Sequence, residues 1–112
     1  MTEVRLRIDT KYNHFHIHRQ ALYAIGDPPF LNFAYDPESM ELMVIGTWID
    51  DLNAVRVNYT KNGSVLFFSK PLITGIRTVS NILTKSGSYF VDGKVIGKSI
   101  IYPLGNAKMA NE

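Results

Sequence analysis

Cysteine is absent from the 112 residues, which excludes disulfides, thiolate metal sites and a cysteine nucleophile together and agrees with a reducing compartment. No apolar run approaches the roughly 20 residues needed to span a bilayer as a helix. The opening Met-Thr-Glu-Val-Arg-Leu-Arg lacks the apolar stretch of a secretion signal, so a cytoplasmic location is expected, without membrane association. There is no phosphate-cradling glycine loop, because the glycines at 87 and 93 merely bracket a strand. No serine sits in a nucleophile-elbow context either, and the chain is read as non-enzymatic. With 46% hydrophobic and 20% charged residues, the composition is that of an ordinary globular domain and too apolar for a disordered one.

Charge is scarce in total, at +2, but divided by position. Residues 1–53 carry four basic and eight acidic groups, net −4, whereas residues 54–112 carry eight basic and two acidic groups, net +6. Opposite halves favour docking on each other and leave a basic face outward, the alternative being a solvated surface with chance asymmetry.

What the chain does contain is a pattern read twice, about fifty positions apart. Thr10-Lys11-Tyr12-Asn13 and the run Phe15 to Gly26 lie over Thr60-Lys61-Asn62-Gly63 and the run Val65 to Ile76, so that Gln20-Ala21 falls on Lys70-Pro71 and Leu22 on Leu72. The upstream strands, Val4, Leu6, Ile8 and Val55, Val57, Tyr59, match with a one-residue slip. A unit this small cannot bury its apolar face alone, so duplication predicts one core shared by both copies.

Within the first copy, Val4, Leu6 and Ile8 alternate with charged residues, and Phe15 and Ile17 alternate with His14, His16 and His18, the period of half-buried strands. Ala21, Leu22 and Ile25 predict a short helix stopped by Gly26, and Asp27-Pro28-Pro29 prevents its continuation. Phe30 to Tyr35 and Glu41 to Ile45 form a hairpin around Asp36-Pro37-Glu38-Ser39. In the second copy, Val65 to Phe68 has no polar face and reads as buried on both sides. Ser69 is the expected N-cap, with Pro71 near the first helical position, of a helix whose stripe is Leu72, Ile76, Val79 and Leu83. Gly75 costs that helix about 1 kcal/mol, which calls for packing or a close backbone contact to hold it. Asp92-Gly93 is a tight-hairpin signal between Ser88 to Val91 and Lys94 to Tyr102. The expectation is an α+β protein: one domain over residues 1–104, made of two strand-helix-β-hairpin repeats (about 4–46 and 55–104) closed into a small pseudo-symmetric, mainly β barrel or sandwich with two short helices. A flexible tail is expected over 105–112.

Phe15-His16-Ile17-His18-Arg19-Gln20-Ala21-Leu22-Tyr23-Ala24-Ile25-Gly26, a strand ending near isoleucine followed by a two-turn helix stopped by glycine, resembles the swapped-hairpin element of the AbrB/SpoVT/MazE superfamily. A tandem pair further resembles its MraZ-type members. The resemblance covers residues 5–46 and, more loosely, 55–102. It implies a DNA-binding transcriptional regulator, with Arg7 and His14 at positions where family members place DNA-facing arginines. Leu22 and Tyr23 occupy the helix positions where the family has arginine, and His18 replaces its usual proline.

The residues themselves supply nucleic-acid candidates: Arg7, Lys11, His14 and Arg19, with Lys61 and Lys70. A pseudo-twofold axis is expected to put the pairs Lys11/Lys61 and Gln20/Lys70 on the same end of the molecule. Double-stranded DNA is the expected partner, a protein partner the alternative, and open edge strands admit a second copy. No cofactor is expected. Adjacent pairs among His14, His16 and His18 are able to reach one metal ion, with Asp9 or Asp27 as third ligand, but a plain polar strand face explains them as well and no metal is assigned. Most of the thirteen aromatics are at core spacing, whereas Tyr12 and Trp48, in connections, are the candidates for exposed contact.

Overall fold

The computed structural model describes residues 4–110; residues 1–3 of the expected domain and 111–112 of the expected tail lie outside the described residues. The elements are β1 Arg5–Asp9, β2 His14–His18, α1 Arg19–Ala24, β3 Phe30–Asp36, β4 Glu41–Thr47, β5 Val55–Arg56, β6 Ser64–Phe68, α2 Lys70–Ser80, β7 Ser88–Asp92, β8 Lys94–Ile96, β9 Ser99–Pro103 and β10 Lys108–Met109. They form two antiparallel five-stranded sheets, ordered β10-β7-β1-β2-β6 and β5-β3-β4-β9-β8. The chain is thus mostly β with two helices, arranged as a small sandwich, and the barrel alternative is corrected. Closure fails because β5 has only two residues paired with β3, while its continuation touches β6 through a single bridge, Tyr59 to Val65.

Period-two alternation fills the space between the sheets. Leu6, Ile8, Phe15 and Ile17 of the first sheet and Leu31, Leu42, Val44, Ile100 and Tyr102 of the second are buried in one cluster. Phe15 stacks on Phe33 of the opposite sheet at 5.8 Å between ring centroids, and Phe33 meets Phe67 edge-on at 5.3 Å. Both helices plug this interior, α1 with Ala21 and Leu22, α2 with Ile73 and Ile76. No helix among the described residues is long and apolar enough to cross a membrane.

Local chemistry sets the element ends. After α1, the Gly26 amide donates to the Tyr23 carbonyl and the Asp27 amide to that of Leu22, with Gly26 at φ +94 in the left-handed region where a side chain would be strained. Ser69 caps α2 by accepting the Leu72 amide, as expected. The β3–β4 turn is held by the Asp36 carboxylate accepting the Glu38 amide.

Four local expectations are corrected. First, β7 and β8 do not form a hairpin: Asp92-Gly93 carries the chain from one sheet to the other, because a Cβ on Gly93 would stand 2.5 Å from the Tyr102 ring, and only a bare backbone can cross there. The tight hairpin is β8–β9, turning at Gly97-Lys98. Second, β6 is buried on one face only beyond Ser64. Val65 and Phe67 point inward while Leu66 and Phe68 are exposed, since no second layer among the described residues covers that side. Third, α2 stops at Ser80, where Asn81 turns left-handed; Leu83 is buried from the following loop, which the Arg77 guanidinium holds by donating to the Leu83 and Thr84 carbonyls at 2.8 and 2.9 Å. Fourth, the expected tail is structured over residues 105–110, in a 3₁₀ turn at Leu104–Asn106 followed by β10 on β7.

Gly75 needs no packing reason, because nothing among the described residues lies within 4 Å of where its Cβ would be. Gly75→Ala is therefore expected to stabilise the fold by about 0.5–1 kcal/mol through helix propensity and a less free unfolded chain. A thermal melt checks this, and a lowered Tm contradicts it.

Backbone contacts around β2 and β6 are mirrored. His16 faces Leu66 at the centre of the pair, with His14 opposite Phe68 and His18 opposite Ser64. The Arg19 amide donates to the Gly63 carbonyl and the Ser69 amide to the Asn13 carbonyl, each at 3.0 Å, and Asn13 and Gly63 are both left-handed.

Candidate nucleic-acid interface

The inner face of the first sheet belongs to the core, so period two forces the alternate side chains onto an outer face that no other layer among the described residues covers. Register lines these up in rows across the strands. The central row runs Lys108, Phe90, Arg7, His16, Leu66, and the row toward the β1–β2 turn runs Ser88, Asp9, His14, Phe68. Toward the other end, Arg5 stands opposite Asp92. Arg5, Arg7, His16, His18, Gln20 and Phe90 line a shallow open cavity of about 250 Å³ on this face.

Its polar groups are oriented by neighbours. Arg5 pairs through Nε with the Asp92 carboxylate at 2.9 Å and lies 5.8 Å above the Phe90 ring. Arg7 donates to the Ser88 hydroxyl at 3.2 Å. Asp9, buried, accepts the amides of Lys11 and Tyr12 on Oδ1 and the Ser88 hydroxyl on Oδ2, so its charge is committed to closing the β1–β2 turn. His14 lies parallel to Tyr12 at 6.5 Å and edge-on to Phe68 at 5.3 Å, and Lys11 Nζ stands 5.4 Å above Tyr12. Partial burial first, then Arg7 and the other two histidines, pushes His16 below the ordinary histidine value, which favours its neutral form.

The structure brings Arg7 and His14 onto this face and leaves the other predicted residues at its ends. Lys11 lies in the β1–β2 turn, Lys61 in the turn before β6, and Lys70 opens α2, all three exposed. The placement of the pairs Lys11/Lys61 and Gln20/Lys70 on the same end is corrected: β2 and β6 run antiparallel, so the Lys11 turn sits beside Lys70 and the Lys61 turn beside Arg19. Arg19 has its guanidinium 4.5 Å above the Tyr59 ring, and its buried Nε has no hydrogen-bond partner among the described residues. Tyr59 in turn donates to Asp27 at 2.6 Å; desolvation and then that bond raise its pKa strongly. This Asp27–Tyr59–Arg19 stack fixes α1 against the 57–60 segment. The three histidines do share one side of β2, yet no group of three or more side chains able to hold a metal occurs among the described residues. Asp27 is engaged by Tyr59, and Asp9 Oδ2, which accepts the Ser88 hydroxyl, stands 4.0 Å from His14 Nε2.

Phe68, Phe90 and Lys108 escaped the sequence reading. The available signal was the alternation Ser88, Phe90, Asp92 against Tyr89, Val91, which puts Phe90 on the polar side of β7. Tyr12 and Trp48 are exposed as expected. No family model, no curated protein and no solved structure matches this chain.

Proposed function

We propose that this protein is a non-enzymatic nucleic-acid-binding protein of regulatory type, holding backbone phosphates on the outer face of its first sheet. The observation that carries the reading is the row Lys108, Phe90, Arg7, His16 beside Arg5 and His18 on a sheet face open to solvent. Lys11 with Lys70 and Arg19 with Lys61 extend positive charge past both ends of β2 and β6. The mirrored contacts of these two strands support an origin in two worn copies related by a twofold axis through the His16–Leu66 pair, the tandem arrangement of swapped-hairpin regulators. The one-residue slip between copies agrees with Ile8 opposite Phe15 in one and Tyr59 opposite Val65 in the other.

Anisotropy of a labelled DNA tests the reading. Affinity is expected to fall steeply between about 50 and 200 mM salt as phosphate counterions are exchanged for protein cations. Arg7→Glu, at an exposed side chain, is expected to weaken binding at least about tenfold while leaving the melting curve nearly unchanged. A second reading, a protein-interaction module, is favoured by the loop after β4, where Ile49 and Leu52 are largely exposed on either side of Asp50-Asp51. Absence of DNA retention even at low salt selects it.

A further inference from the structure

Resting on the nucleic-acid reading, we propose that the outer face of the first sheet takes an unpaired strand, with phosphates on its cations and bases stacked on Tyr12, Phe68 and Phe90. Dimensions argue against a duplex. Five strands at about 4.8 Å spacing make a face roughly 19 Å across, whereas the major groove is about 12 Å wide and admits a helix or a two-stranded ribbon. A duplex on this face meets it only through phosphates, and none of the three rings reaches a base.

An unpaired strand has no such restriction, because its base faces are open to any aromatic plane. The rings are placed for it. Phe68 and Tyr12 are 69% and 60% exposed, unusual for side chains whose transfer from water is favourable, and they flank His14 at one end of the face. Phe90 lies in the central row, three strands from β6, about 14 Å across the sheet from Phe68. Between them stands Arg7, with Arg5 over Phe90 and Lys11 over Tyr12, so cations and rings alternate as bases and phosphates do along a strand. Asp9, beside Tyr12 in the turn, is buried and already bonded to the turn amides, and Asp92, two residues from Phe90 on the same face, is paired with Arg5. The contacts are to phosphate and base face, groups that DNA and RNA share.

The test is anisotropy of the full chain with labelled oligo-dT of about 12 nucleotides, within the site sizes of single-strand binders, against a duplex of equal length. Oligo-dT is expected to bind at least tenfold tighter than the duplex. Phe68→Ala, which removes a ring that the core does not use, is expected to lose about tenfold on oligo-dT and nothing on the duplex, with an unchanged melt. Phe90→Leu is the second variant and keeps an apolar side chain in place. Duplex bound as tightly as oligo-dT, with both ring variants binding like the parent, overturns the unpaired-strand inference and leaves the phosphate reading standing. Loss of neither ligand on Arg7→Glu overturns both. Oligo-U bound tenfold better than oligo-dT assigns the face to RNA, and the reverse assigns it to DNA.

Discussion

Phe15→Ala is expected to cost about 3–5 kcal/mol, enough to unfold a large fraction of a domain whose whole stability is of order 5–15 kcal/mol. Phe15 is only 1% exposed, sits between Ile8 and Phe67 on its own sheet, and stacks on Phe33 of the other. Its ring is therefore a direct tie between the layers. Removing it leaves a cavity walled by strands on both sides, and hydrogen-bonded sheets cannot collapse into such a gap as a loop would. In urea the midpoint is expected to fall by about 2 M or more at a typical slope for this size, whereas Phe15→Leu loses less than about half as much. Phe68→Ala, on the adjacent strand but facing outward, is expected to shift stability by no more than about 0.5 kcal/mol. A loss below about 1 kcal/mol for Phe15→Ala contradicts the account of the core.

Gly93→Ala has the second largest expected effect, about 2–3 kcal/mol of destabilisation from overpacking. The added methyl would lie 2.5 and 2.7 Å from Tyr102 Cε1 and Cδ1 and 2.7 Å from Ile100 Cγ2. Tyr102 is fully buried, and burial raises its phenol pKa strongly, so the ring has no solvent space into which to swing. Relief must come from the backbone that carries the chain between the two sheets. Differential scanning calorimetry is expected to show a Tm lowered by roughly 8 °C or more, at about 4 °C per kcal/mol for a chain of this length. Gly97→Asn is the control: nothing stands within 4 Å of its Cβ position, and its φ of +61 is one that asparagine tolerates. An unchanged Tm for Gly93→Ala would show that Tyr102 repacks freely.

The two variants mark the boundary between what could be read and what could not. Alternation identified Phe15 as inward-facing with no knowledge of the fold, because side chains on a strand strictly alternate. At Gly93 the same kind of local reading failed. Asp-Gly usually makes a hairpin turn, but here the neighbouring strands had other partners available, and a close approach to Tyr102 required the missing side chain more than a turn did. Val65 to Phe68 failed for a related reason: an apolar run reads as doubly buried, and only the layer count reveals that one side is bare. The candidate site was visible in part, through Arg7 and His14, whereas Phe68, Phe90 and Lys108 come from strands remote in the chain.

By itself, the sequence determined the faces of β1 and β2, the Ser69 cap, the Gly26 stop and the turn after Asp36, since each follows from interactions within a few residues. Tertiary structure alone decided that β6 lies against β2 in antiparallel register, that β7 joins β1 while β8 leaves for the other sheet, and that β10 pairs with β7 as the edge strand. Several strands of similar pattern compete for the same partners, and that contest is settled by the packing of the whole core. Those pairings, in turn, bring Lys108, Phe90, Arg7 and His16 into one row.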